Sequence, residues 1–235
     1  MGIKKYTTLV TKIIRYNLKI IFAGKFFWFF LAAFAFFCYL MFSYAWERSE
    51  INEGTIYTVL LFPCLLLIFY PVVFGIQNDE DNRILEIIFG IPNYRYKIWG
   101  VRMLMVYVAN YFILIAFAYI GRLMLYPVNI FEMAAQLIFP MLFFGNLAFM
   151  ISTIVRSGNG TAVVMILLGL VFLTLSENMT TSMWNVFLNP FATPRNVHVM
   201  VWQETILNNR VFLIIAGIVW LMVGLLNLQK REKFV

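Results

Sequence analysis

Charge is scarce in this sequence: Asp, Glu, Lys and Arg make up only 12% of its 235 residues, against 63% hydrophobic ones. That is about half the charged share of an ordinary soluble domain, too little to cover a water-exposed globule of this length. Histidine is scarcer still. With His198 alone, a histidine-rich metal site is excluded, HExxH is absent, and the residue reads as a hydrogen-bonded interfacial side chain rather than a catalytic one. The two cysteines, Cys38 and Cys64, lie inside apolar runs, where a small polarizable side chain packs; no CxxC or Cys/His cluster exists. Neither GxSxG nor GxxxxGK[ST] occurs, and no carboxylate pair flanks an apolar cleft, so no catalytic, cofactor or metal site is expected in the chain. The apolar runs also lack the acids of a proton or sodium relay.

What is present is length without charge. Six stretches contain no Asp, Glu, Lys or Arg: Phe26 to Trp46, Gly54 to Asn78, Met103 to Gly121, Met133 to Val155, Ser157 to Ser176 and Val211 to Gln229. A helix needs about 20 residues to cross a hydrocarbon core roughly 30 Å thick, and a central Lys or Arg costs about 2.5–3.5 kcal/mol to insert. The fold class expected is therefore all-α, a polytopic membrane protein with six transmembrane helices over residues 26–235. If the N-terminus is inside, only Arg48, Arg122, Arg195 and Arg210 of the 18 basic residues fall outside. The 11 acids divide almost evenly, so the asymmetry belongs to Lys and Arg, as the positive-inside rule requires. This places the chain in the inner or plasma membrane with both termini cytoplasmic, and ties its net charge of +7 to topology and anionic headgroups rather than to nucleic acid. No cleavable signal peptide is expected, because a long basic stretch precedes the first apolar run and no small-residue cleavage site follows it.

Segments between the runs are less ordinary. Over residues 1–25, Tyr6, Leu9, Val10, Ile13, Ile14, Ile20 and Ile21 recur at spacings near three and four while the lysines fall mainly elsewhere, the pattern of an interfacial amphipathic helix. Over 77–100 the acids Asp79, Glu80 and Asp81 come first, then an apolar stripe at Ile84, Leu85, Ile87 and Ile88, then the helix breakers Gly90 and Pro92. A short cytoplasmic amphipathic helix fits, and four aliphatic residues on it require something to pack on, either the bundle or a partner. Gly158 and Gly160 supply the permissive backbone for a tight turn between the fourth and fifth runs. The outer segment 177–210 stays rich in apolar and aromatic side chains, including Met183, Trp184, Phe187 and Trp202, and is expected to dip back as short re-entrant helices. Asn110 and Asn146, polar side chains within runs, are expected to bond neighbouring helices.

In order of parts the chain resembles the permease subunit of type-2 ATP-binding-cassette exporters. The likeness covers nearly the whole chain. The stretch Asn78 to Glu86 followed by Pro92 and Arg95 is similar to the family's loop after its second span, and Asn189-Pro190-Phe191 is similar to its outer proline turn. The resemblance implies that 77–100 is a coupling helix docking into a separate ATPase subunit, with Arg83, Leu85, Glu86, Phe89, Pro92, Tyr94 and Arg95 as contact candidates. ATP and Mg would then be bound by that partner, which accords with the missing phosphate-binding motif. It also implies a second permease chain, as a homodimer or a related heterodimer. A path lined by the second and fifth spans would follow, with export of an amphipathic or hydrophobic cargo by alternating access. The run of three acids at 79–81 is more acidic than the family pattern. The competing reading is a membrane protein without an ATPase: an interaction or immunity-type protein, a carrier or a channel.

Overall fold

The computed structural model describes residues 26–46, 51–81, 95–194 and 197–228. Among these the regular secondary structure is all helix, with no strand: α1 (Phe26–Trp46), α2 (Glu53–Val73), α3 (Gly75–Asp81), a π-helical turn (Arg95–Gly100), α4 (Val101–Met124), α5 (Ile130–Val155), α6 (Gly158–Asn178) and α7 (Val199–Asn227). Six helical segments are long and apolar enough to cross a membrane, α2 and α3 together forming one of them, so the protein is a multi-pass membrane protein. The expected N-terminal amphipathic helix over 1–25 lies outside the described residues.

Burial explains the arrangement. In α5, buried side chains cover most of the helix circumference, and α7, α2, α4 and α6 all pack on it, making it the centre of the bundle. By contrast α1 buries only Phe26, Ala33, Phe37 and Met41, one stripe at helical spacing, against α2 and α4. Phe37 stacks on Phe117 with ring centroids 4.9 Å apart, and Phe29 meets Tyr70 at the same distance. The opposite face of α1, with Phe27, Trp28, Tyr39 and Phe42 exposed, suits lipid. Helices approach closely where glycine allows: a Cβ on Gly224 of α7 would sit 2.8 Å from the Phe149 ring of α5.

Helix ends are closed locally. Asn52 caps α2 by accepting from the Thr55 N–H at 3.0 Å, while the Thr55 hydroxyl accepts from the Asn52 N–H, a reciprocal capping box. At its other end α2 carries Pro71, which cannot donate to the preceding turn, and the helix breaks at Phe74. The Ser152 hydroxyl of α5 donates to the Val73 carbonyl at that break, 3.4 Å away. Asn129 and Ser157 cap α5 and α6, each accepting from a backbone N–H three residues on.

Three expectations need correction. The turn after α5 does not put glycine in the left-handed region: Arg156 occupies it, with φ 61°. Gly158 is needed instead for room, since a Cβ there would lie 2.4 Å from the Phe74 ring and 2.5 Å from Gln77 Oε1. The outer segment does fold back, burying Val186 and Leu188, but residues 179–194 form successive turns rather than re-entrant helices. Asn185, Asn189 and Pro190 interrupt any longer helix there, and the Asn185 and Asn189 side chains accept from backbone N–H groups two residues on. Finally, the last helix begins at Val199 rather than Val211. Its 29 residues give about 43 Å, longer than a hydrocarbon core.

Candidate functional site

Successive spans alternate in direction, so the ends fall on two faces. The face holding the start of α1 and the end of α7 also holds α3, the start of α4 and the α5–α6 turn. Both described ends of the expected docking segment therefore emerge there: α3 ends at Asp81, and the π-helical turn begins at Arg95 and runs directly into α4.

These two roots are joined by an ion pair. Arg102 Nη1 lies 2.6 Å from Asp79 Oδ2, and both side chains are almost wholly buried. The guanidinium of Arg102 sits over the Trp99 ring, 4.5 Å from its centroid. A carboxylate and a guanidinium taken out of water stay charged only by satisfying each other, which makes this contact short and directional. Arg102 Nε and Trp99 Nε1, also buried, have no partner among the described residues. Two residues before Asp79, Gln77 Oε1 accepts from the Gly158 N–H at 2.6 Å, fastening α3 to the α5–α6 turn. On α7, Asn227 Nδ2 donates to the Thr153 carbonyl at 2.7 Å.

The opposite face has its own polar cluster. Arg210 of α7 is buried, with Nε donating to Gln136 Oε1 at 2.9 Å, Nη1 to Asn209 Oδ1 at 2.8 Å and Nη2 to the Leu188 carbonyl at 3.4 Å. Asn209 Nδ2 is within 2.7 Å of the Met183 carbonyl and 2.8 Å of that of Asn185. Asn189 Nδ2 donates to the Gly54 carbonyl at 2.8 Å. The turns of 179–194 are thereby tied to α2, α5 and α7, helped by Phe187 stacked on Phe144 and Trp184 edge-on to Phe212.

Between the faces, an apolar groove of about 120 Å³ runs between α2 and α6 with α5 as its floor. Phe62, Leu65 and Phe69 form one wall, Met165, Gly169 and Leu173 the other, and Phe144, Ala148 and Phe187 the base and one end. The wall from α6 is buried only at its start, at Gly158, Thr161 and Met165; further along, Phe172 meets Phe143 and Phe144 edge-on. Mid-bundle, the Tyr107 hydroxyl donates to Asn146 Oδ1 at 2.6 Å, joining α4 to α5; Asn110 is likewise buried.

Of the docking candidates, Arg83, Leu85, Glu86, Phe89, Pro92 and Tyr94 lie outside the described residues, and Arg95 opens the π-helical turn. Asp79, expected at the acidic start of a cytoplasmic amphipathic helix, is buried in the bundle. The sequence reading missed Gln77, Arg102, Gln136, Asn209 and Arg210 as site residues. The signal was a charge standing at the edge of an apolar run: Arg102 one residue before the third run, Arg210 one before the sixth. No protein-family model, curated protein or solved structure matches this chain.

Proposed function

We propose that this chain is the permease subunit of an ATP-binding-cassette transporter. It would export an amphipathic or hydrophobic cargo by ATP-driven alternating access. The observation that carries the reading is the geometry around segment 82–94. Two helical roots, fixed to each other by a buried ion pair, emerge on one face of a six-span bundle, and the sequence that joins them carries an aliphatic stripe. A connecting loop needs neither rigid roots nor Ile84, Leu85, Ile87 and Ile88; a docking element needs both. The concentration of basic residues in the segments expected on that same side supports a cytoplasmic position for it, where an ATPase holding ATP and Mg would meet it. The groove between α2 and α6 supports a path for apolar groups, and the exposed face of α6, with Val163, Ile166, Leu167 and Leu170, suits a second permease chain or lipid.

The test is a paired substitution, Leu85→Asp with Ile88→Asp. It should release the ATPase while all six spans remain inserted, as judged by alkylation of single cysteines from either side. Unaltered copurification of an ATPase would overturn the assignment.

A further inference from the structure

Resting on that reading, the geometry points to Asp79 and Arg102 as positioning residues that lock α3 to the start of α4. Movement delivered to segment 82–94 then passes as one displacement through Gln77 to the α5–α6 turn and the α6 wall of the groove. Three observations carry this. First, α3 is a separate seven-residue piece: the helix breaks at Phe74, so α3 can turn relative to α2 about that break. Second, its far end is held by a charge contact across 23 residues of sequence, Asp79 to Arg102 at 2.6 Å, with Trp99 closing over the guanidinium. Separating the pair would strand a charge among buried apolar groups, so the two roots move together or not at all. Third, Gln77 of α3 accepts from the Gly158 N–H and so ties α3 directly to the α5–α6 turn, at a glycine with no room for a Cβ. Beyond Met165 no side chain of α6 is buried, so a displacement at its first turn meets only half-buried contacts further along, such as Phe172 edge-on to Phe143 and Phe144.

The experiment compares wild type, the neutral pair Asp79→Asn/Arg102→Met and the swapped pair Asp79→Arg/Arg102→Asp, all in lipid nanodiscs. One arm uses the complex with its copurified ATPase. Spin labels at Phe62→Cys and Leu170→Cys, with Cys38 and Cys64 replaced by alanine, report the distance across the groove with and without ATP and vanadate. The wild type should shift on nucleotide trapping, the neutral pair should keep its ATPase and lose the shift, and the swapped pair should regain it. No shift in the wild type, or a shift that survives in the neutral pair, overturns the proposal.

A second arm needs no ATPase and so separates this proposal from the reading beneath it. Hydrogen exchange in the neutral pair should accelerate by about tenfold over residues 75–81 and 158–161 together, and return to the wild-type rate in the swapped pair. Acceleration of 75–81 without 158–161, no acceleration, or no return in the swapped pair overturns the latch. Failure of the wild type to bring down any ATPase overturns only the functional reading.

Discussion

Among the described residues each face of the bundle buries one arginine, and the two are satisfied in opposite ways. Arg102 is neutralised by a carboxylate, Asp79, from a neighbouring helical piece. Arg210 is surrounded by neutral oxygens, from Gln136, Asn209 and the Leu188 carbonyl, and no carboxylate pairs with it among the described residues. The first arrangement joins two helical roots through a single contact, which is strong while intact and leaves a bare charge when broken. The second spreads one charge over several acceptors belonging to α5, α7 and the turn segment, so losing any one of them leaves the others. One face is built to move as a unit and the other to stay fastened.

That contrast can be broken by substitution, and the effects should descend in a definite order. Asp79→Asn alone leaves Arg102 buried without a counter-charge and should cost the most, about 3–5 kcal/mol in detergent-solubilised unfolding. Arg210→Met also deletes one charge but leaves no opposite charge behind. Its cost should be smaller, about 2–3 kcal/mol, and limited proteolysis should locate the loosening in 179–194. Equal costs for these two would erase the distinction between the faces. Gly158→Ala forces a methyl against Phe74 and Gln77; about 1–2 kcal/mol is expected, with a lower thermal midpoint and loss of protection at the Gly158 amide. Tyr107→Phe, which removes only the mid-bundle bond to Asn146, should cost about 0.6 kcal/mol and leave both faces unchanged by hydrogen exchange.

Much of the fold was legible because exclusion of charge from lipid leaves gaps in the sequence. The first gap, Phe26 to Trp46, coincides with α1. The gaps failed where a charge is buried rather than excluded. Arg210 ended the last gap, yet α7 begins well before it, at Val199, because Arg210 finds acceptors inside the protein. In the same way Asp79 read only as part of the acidic start of an amphipathic helix, since a partner 23 residues away on another helix leaves no mark on local pattern. The apolar character of 179–194 announced that it packs; whether it packs as helix or as turns depended on Asn185 and Asn189 capturing backbone N–H groups. At the α5–α6 turn, glycine content signalled tightness, but the reason was the space beside Phe74 rather than backbone freedom.

The central claim, a permease driven by a separate ATPase docked on segment 82–94, is tested most directly by ATP hydrolysis in the purified complex. Extracted from its own membrane and returned to lipid, the wild-type chain should carry vanadate-sensitive ATP hydrolysis with it, and the Leu85→Asp/Ile88→Asp chain should carry none. Equal hydrolysis with both chains, or none with either, would contradict the account.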